Sequence, residues 1–428
     1  MPQADISKTR TSALLVLVAV NILNFYDRHL MGALAEPIRK EFHLSDTQTG
    51  LIGSAFIWLY AIVGLPLGRL ADKRSRKKLL AGGITVWSLL TACTALAGSY
   101  GTLLLSRLGF AVGEAVVAPT VSSWIGDIFP PHQRARALAL FMLGVPAGAS
   151  LSYLFSGPIA QAFGWRVAMV AAALPAILLI PLVLRLDEPR RAAMEITEHA
   201  RSESALSLLR IPTFWWIIAS GALLNFNMYA LAQFMTAFLI RIHHLTLAAA
   251  GIHTGIAYAA GGVSGSLLAG WLGDTVIRHR KDGRLLCASI LALAGAPAAW
   301  FGVLAADSTL AAVWLTLFIA SLCTYYGLVY SAIQDIVAPS LRGIAMAVYF
   351  LFMYLCGASF GPLLTGKLSD TLAHRAAGSK VVTEAFRAVG LQQAMLIMPV
   401  LSVLLALVLF AGSRTIGRTT SASATPAA

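Results

Sequence analysis

Gly68-Arg69-Leu70-Ala71-Asp72-Lys73, followed at once by Arg74-Ser75-Arg76-Lys77-Lys78, returns as Gly270-Trp271-Leu272-Gly273-Asp274 with Arg278-His279-Arg280 behind it. Each copy closes a long apolar segment and opens a basic one. A loop repeated in this way implies two related halves, and its setting places it between the second and third helix of each half of a polytopic membrane protein.

The composition agrees. The chain of 428 residues is 58% hydrophobic and only 12% charged, with a mean hydropathy of +0.75, more apolar material than a soluble core could hide. Runs of roughly 20 apolar residues, the length a helix needs to cross about 30 Å of hydrocarbon, fall at 12–34, 47–71, 79–98, 102–127, 135–160, 166–186, 212–240, 247–273, 284–305, 309–334, 343–368 and 390–412. These segments are long and do not alternate with period 2, so they read as helices and not as barrel strands. The expected fold is an all-α integral membrane protein of twelve transmembrane helices in two pseudo-symmetric six-helix bundles.

The formal charge of +13 does not indicate nucleic acid, because the basic residues are sorted. About 22 of the 32 Lys and Arg lie on the side of the two repeated loops, about 8 on the other side and two inside the membrane, so the loops are cytoplasmic by the positive-inside rule. Twelve crossings with Lys8 and Arg10 before the first and Arg414 and Arg418 after the last put both termini in the cytoplasm. The compact loops suit a multi-pass protein of a bacterial inner membrane. Cys93, Cys287, Cys323 and Cys356 sit inside apolar spans and read as small core residues, not as disulfides or metal ligands. No cofactor is expected.

The repeat extends beyond the loop. Asp127-Ile128-Phe129-Pro130-Pro131-His132-Gln133-Arg134 matches Asp335-Ile336-Val337-Ala338-Pro339-Ser340-Leu341-Arg342 at an offset of 208, Gly148-Ala149-Ser150 matches Gly357-Ala358-Ser359 at 209, and Leu23-Asn24-Phe25 matches Leu224-Asn225-Phe226 at 201. The domains follow: an N-terminal six-helix bundle over 1–186, a charged cytoplasmic linker over 187–210 carrying Glu195, Glu198, Arg201 and Glu203, a C-terminal bundle over 211–413, and a disordered tail over 414–428.

Ionisable groups at bilayer depth need a reason, since each costs on the order of 2.5–3.5 kcal/mol even on lenient insertion scales. Asp27 and Arg28 lie in the first span, Arg107 and Glu114 in the fourth. Arg107 and Glu114 are i and i+7, hence on one helix face. The plainer reading is that Asp27 pairs with Arg107 or Arg28 only to hold helices together. The functional one makes Asp27 and Glu114 the proton-carrying groups, because a carboxylate beside a guanidinium and the same carboxylate in a drier pocket differ in proton affinity. Arg28 and Arg107 then clamp an anion with their planar forks, with Asn24 beside them. The second half offers Asn225 and Tyr229 one turn apart, and Tyr326 and Tyr330 likewise. A charged cluster in one half and an aromatic one in the other suit an amphiphile with an anionic head.

The pattern Gly68-x-Leu70-Ala71-Asp72-Lys73-x-x-Arg76-Lys77 and its second copy resemble the signature of the major facilitator superfamily, with Ser75 where that family usually has Gly. Within it, Asn24-Phe25-Tyr26-Asp27-Arg28, then Arg107 with Gly113-Glu114-Ala115, and then Asp127 to Arg136 resemble the Spinster-like lipid transporters. The Asp-Arg pair and the Glu-Ala are also similar to the organic-anion symporters of the superfamily. The resemblance implies secondary transport by alternating access, with the first and fourth helices facing a central cavity. It also implies a cytoplasmic latch: Asp72, with Gly68 one turn earlier and Arg76 after it, meets the start of the eleventh helix near Arg342, and Asp274 meets the start of the fifth near Arg134. The expected activity is proton-coupled movement of an amphipathic anion such as a lysophospholipid or sphingoid lipid, by a monomer among membrane lipids. The rivals are symport of small organic anions and a non-transporting sensor. Absence of zinc-spaced His pairs, a serine elbow or a Gly-Lys-Ser/Thr phosphate loop argues against an enzyme or an ATP-driven pump.

Overall fold

A computed structural model of the chain describes residues 3–188, 208, 210–338, 341–378 and 381–422. The linker residues Glu195, Glu198, Arg201 and Glu203 lie outside the described residues. Contacts divide the chain into two units, Met1–Met194 with Met235–Ile240 and Leu245–Ile256, and Glu195–Phe234 with Arg241–His244 and Ala257–Ala428.

In the first half the helices are α1 (Gln3–Ala33), α2 (Ala35–Glu41), α3 (Asp46–Lys73), α4 (Arg76–Thr94), α5 (Tyr100–Glu114), α6 (Val117–Ile128), α7 (Pro131–Met142), α8 (Gly144–Phe163), α9 (Trp165–Ala173) and α10 (Pro175–Arg185). The second half continues with α11 (Pro212–His243), α12 (Leu247–Val276), α13 (Gly283–Leu304), α14 (Ser308–Ile336), α15 (Arg342–Phe352), a π-helical turn Met353–Ala358, α16 (Phe360–Ala377), α17 (Glu384–Met395) and α18 (Ile397–Ala422). Among the described residues ten segments are long and apolar enough to cross a membrane. Gly- and Ser-bearing α4 and α12, at 19 and 30 residues, complete the twelve expected spans. α18 runs from Ile397 to Ala422.

Proline explains why several spans are two helices. Lacking an N–H, it cannot bond the carbonyl four residues back and its ring crowds that carbonyl. Pro119 acts on Ala115, and α5 ends at Glu114. Pro146 acts on Met142, and α7 ends there. Pro399 acts on Met395, the last residue of α17.

Apolar side chains are distributed as lipid demands. Leu96, Phe163, Leu178, Leu267 and Trp271 are all at least 66% exposed, which a water-facing surface would not tolerate in such number. Trp87, Trp124, Tyr153 and Phe110 are buried in the first unit, and Phe214, Phe234, Phe318 and Tyr349 in the second. Small residues let the backbones approach. A Cβ on Gly113 would fall 2.7 Å from the Trp87 nitrogen, and one on Gly148 would fall 2.8 Å from the Phe25 Cβ and 2.9 Å from the Tyr26 nitrogen. The first seam locks α5 to α4, the second locks α8 to α1. Gly148→Val is therefore expected to lower stability by about 1–3 kcal/mol through overpacking, read as a fall in the thermal unfolding midpoint in detergent.

At the end of α2, the Glu41 carboxylate accepts from Trp165 Nε1 at 2.6 Å and pairs with Arg166, whose other nitrogen reaches the Ala97 carbonyl at 3.1 Å. Three connections are tied together there. The Trp165 hydrogen bond, with Arg166 beside it, outweighs partial burial and holds the Glu41 carboxyl below its usual range.

Candidate functional site

The charged cluster of the first unit is built on α1 and α5. Arg28 donates from Nε at 3.1 Å and Nη2 at 2.9 Å to one oxygen of Glu114, Oε2. The pair is nearly sealed, with the side chains 5% and 0% exposed, and Glu114 Oε1 has no hydrogen-bond partner. Glu114 is the last residue of α5, at the break that Pro119 imposes, so it sits where the helix is already interrupted.

Asp27 and Arg107 take a different arrangement from the carboxylate–guanidinium pair that the sequence suggested. Arg107 Nη2 lies 3.4 Å from the backbone carbonyl of Asp27, while both carboxyl oxygens of Asp27 are buried without a hydrogen bond. The indole of Trp87 stands beside that carboxyl. Arg107 keeps Nε and Nη1 buried and unbonded, N–H donors on two different sides of its guanidinium. Asn24, one turn before Arg28, is also buried, and its amide nitrogen has no partner.

Sequence reasoning missed the aromatic residues that hold the guanidinium groups. Arg28 lies 4.9 Å from the Phe25 ring centre, 5.3 Å from Phe56 and 4.7 Å from Tyr60. Arg107 lies 4.1 Å from Phe110. Such stacks supply each cation with roughly 0.5–2 kcal/mol of compensation that does not depend on a carboxylate. The i, i+4 pair Phe56 and Tyr60 facing the charged helices was the readable sign.

The second unit carries an aromatic wall. Tyr326 reaches the Asn225 side-chain oxygen at 3.5 Å. Tyr326 and Tyr330 stack edge to face at 5.6 Å, Tyr330 meets Tyr349 at 5.7 Å, and Tyr229 meets Tyr354 at 6.3 Å. Behind them Tyr349, Tyr325 and Ser220 form a buried hydroxyl chain, with bonds of 3.1 and 2.7 Å. Tyr229, Tyr326, Tyr330 and Tyr354 are each half-buried, so part of every ring is open. Tyr354 was not among the expected residues.

The residues expected to latch the cytoplasmic ends are placed as follows. The side chains of Asp72 and Arg69 lie outside the described residues. Gly68 faces Pro119, whose Cβ would be 3.9 Å from an added one. Asp274, Arg134 and Arg342 are exposed, and Arg134 donates to the Phe129 carbonyl at 2.9 Å. Arg76, by contrast, is buried against Asp127. Arg284 pairs with Asp335 in the same way, each member 208 residues after its counterpart, so the repeat seen in sequence is repeated as an ion pair.

Ser75 has a partner that an unbranched glycine would lack. Its hydroxyl donates to Glu188 at 2.6 Å, and Glu188 also accepts the Arg76 backbone N–H at 2.6 Å. Ser75 is the N-cap of α4 but makes no cap bond itself, so Glu188, 113 positions later, caps the helix in its place. Burial pushes the Glu188 carboxyl up, but the bonds from Ser75 and the Arg76 and Lys77 backbone, with the Arg76 charge, outweigh it and leave the group below its ordinary value. A depressed carboxyl stabilises the fold above its unfolded value of about 4.3, and the contribution disappears as pH falls through the lower folded value. Glu188→Gln is accordingly expected to be less stable than wild type at pH 7 and equal to it in strong acid, in unfolding curves taken across pH.

Among the described residues no cluster of three or more His, Cys, Asp or Glu could hold a metal. The four thiols are free, with Cys93 and Cys356 on exposed faces and not in the core.

Comparison with known proteins completes the picture. Residues 17–362 match the Major Facilitator Superfamily. An MFS-type efflux pump of Mycolicibacterium smegmatis is 33% identical over 83% of this chain and 84% of its own. Human protein spinster homolog 1 is 29% identical over 84% of this chain and 74% of its own. A crystal structure of a bacterial homolog to the human lysosomal transporter Spinster, inward-facing and unoccupied, superposes with a TM-score of 0.86 at 27% identity, covering 96% of this chain and 98% of that one. The chain belongs to the major facilitator superfamily and is a Spinster-like multi-pass membrane transporter.

Proposed function

We propose that this transporter is a proton-coupled secondary carrier that moves an amphipathic anion, a lysophospholipid or sphingoid lipid, by alternating access in a cell inner membrane with both termini cytoplasmic. The observation that carries the reading is the buried Arg28–Glu114 pair in which only one carboxyl oxygen is engaged. Two acids and two bases make the cluster neutral as a whole. A proton arriving at Glu114 weakens its hold on Arg28, and an anionic head group then takes the guanidinium. Arg107 contributes an unbonded N–H to the same anion. Asp27, its carboxyl already without a hydrogen bond, is the second proton-carrying group.

The aromatic wall of Tyr229, Tyr326 and Tyr330, with Asn225 as its polar edge, supports the amphipathic part. Ring faces take an alkyl or sphingoid body without demanding a hydrogen bond from it. Tyrosine hydroxyls at the rim satisfy the polar junction.

The test uses the full chain in liposomes loaded with a pH dye. Lysophospholipid, sphingoid phosphate and small carboxylates are added in turn, with an inward and then an outward proton gradient. Proton movement that follows the lysophospholipid or the sphingoid phosphate supports the reading. Movement that follows only small carboxylates replaces it with symport of organic anions, and transport that ignores the gradient removes the proton.

A further inference from the structure

α15 and α16 form one span, and the turn between them, Met353–Ala358, is π-helical. A π-turn holds one residue more than an α-turn and persists only where something local pins it. Two features do so here. Pro362 deprives the Ala358 carbonyl of its α-helical donor. The Ser359 backbone N–H bonds to Tyr354, five residues back, at 3.0 Å, which leaves open the Leu355 carbonyl it would take in an α-helix. The Ser359 hydroxyl fills that acceptor at 2.5 Å. Ser359 is completely buried. Its repeat counterpart, Ser150, sends its hydroxyl to the Gly255 carbonyl at 2.8 Å, and α8 remains α-helical around it.

The extra residue decides which side chains face α11. Tyr349 packs its ring on Gly221, and Gly361 packs against Phe226 and Ala230. Twelve residues separate Tyr349 from Gly361. At about 100° per residue an unbroken α-helix would turn them roughly 120° apart, and one residue absorbed by the π-turn reduces this to roughly 20°. The π register thus lets the tyrosine end and the glycine end of one span meet α11 together. Tyr354, on the turn itself, stands edge to face against Tyr229.

We propose that Ser359 is a positioning residue for the aromatic wall: its hydroxyl holds the π register that sets Tyr354 against Tyr229 and so shapes the surface that takes the apolar body of the substrate. The proposal rests on the substrate reading above, and its test separates the two.

Two measurements are made on the full chain in liposomes, with lysophospholipid as the probe. In a background where Cys93, Cys287 and Cys323 are serine, a spin label on the exposed native Cys356 reports the register without any substrate. Ser359→Ala is expected to change its spectrum, and Ser359→Thr, which keeps the hydroxyl, to leave it as in wild type. In transport, Ser359→Ala is expected to raise KM about 3- to 10-fold with kcat changed less than about twofold, as loss of one buried hydrogen bond acting on binding would do. Ser359→Thr should restore KM. Adding Ser359→Ala to Tyr354→Ala should add almost nothing, since residues acting through one another are not additive. If Ser359→Ala does not reach the membrane, Ser359→Cys repeats the transport arm.

An unchanged spectrum overturns the register claim whatever transport does. A changed spectrum with unchanged KM, in a protein where Tyr326→Ala does raise KM, overturns the positioning role alone. If Tyr326→Ala leaves KM unchanged as well, the aromatic wall is not the substrate surface and both readings fall. A fall in kcat at constant KM, or full additivity with Tyr354→Ala, likewise overturns the role.

Discussion

Glu114→Gln is expected to reduce lysophospholipid-driven proton movement at least about tenfold, an effect of more than about 1.4 kcal/mol on the coupled step. The amide is nearly the same shape, so its oxygen still faces Arg28, yet it neither carries a charge nor accepts a proton. Stability falls too, because removing one partner of a buried pair strands the other, at a cost of roughly 3–5 kcal/mol when nothing compensates. Compensation exists: the rings of Phe25, Phe56 and Tyr60 surround the stranded Arg28. The variant should therefore reach the membrane folded and bind an anion, while failing to couple it. Glu114→Asp, which keeps the titratable group, should retain part of the coupling. Wild-type proton movement by Glu114→Gln between pH 5 and 8 would falsify the assignment.

Asp127→Ala is expected to destabilise the protein by roughly 3–5 kcal/mol, whereas the equivalent change in the other repeat, Asp335→Ala, should cost at most about 1 kcal/mol. The sequence motif is the same, but the surroundings differ. Arg76 is 2% exposed and Asp127 18%, while Arg284 is 16% exposed and Asp335 42%. Removing Asp127 leaves a charge sealed from water; removing Asp335 leaves one that water can reach. Thermal unfolding of the two variants in the same detergent measures the difference. The double change Arg76→Met with Asp127→Leu should recover most of the loss, since it removes both charges together. Equal losses for the two single variants would mean that exposure does not govern these pairs.

Much of the fold was legible because it follows from hydropathy and from the spacing of the repeat, both of which survive without knowledge of packing. The ion pairs Arg76–Asp127 and Arg284–Asp335 repeat at the 208-residue offset that the loop strings display. The cluster of Asp27, Arg28, Arg107 and Glu114 was legible by depth, since charges inside apolar runs stand out and helical rise converts their positions to heights. The pairing within it was not. Asp27 and Arg28 are neighbours in sequence but point about 100° apart on the helix, and which of them meets Glu114 depends on how α1 is rotated. That rotation is set by the Gly148 seam, a packing fact with no local signature.

The aromatic stacks on Arg28 carried only the i, i+4 spacing of Phe56 and Tyr60 as a sign, and which helix that pair faces is a packing fact. The π-turn escaped because its pinning hydroxyl, Ser359, looks like an ordinary helix residue. Pro362 could have marked it, as Pro119 could have marked the break at Glu114. Glu188 escaped because it lies inside the charged stretch 187–210, which reads as a solvated linker.

The cap that Glu188 places on α4 has a consequence for how the chain is made. A ribosome adds residues in order, so the first turn of α4 is exposed 112 residues before its acceptor exists. At about 5–20 residues per second the wait is on the order of 10 seconds. Through that interval the loop around Ser75 stays open to water, and it closes only once the sixth span has been delivered. Delivery of the sixth span is thus registered at the loop after the second span, by a carboxylate synthesised more than a hundred residues later.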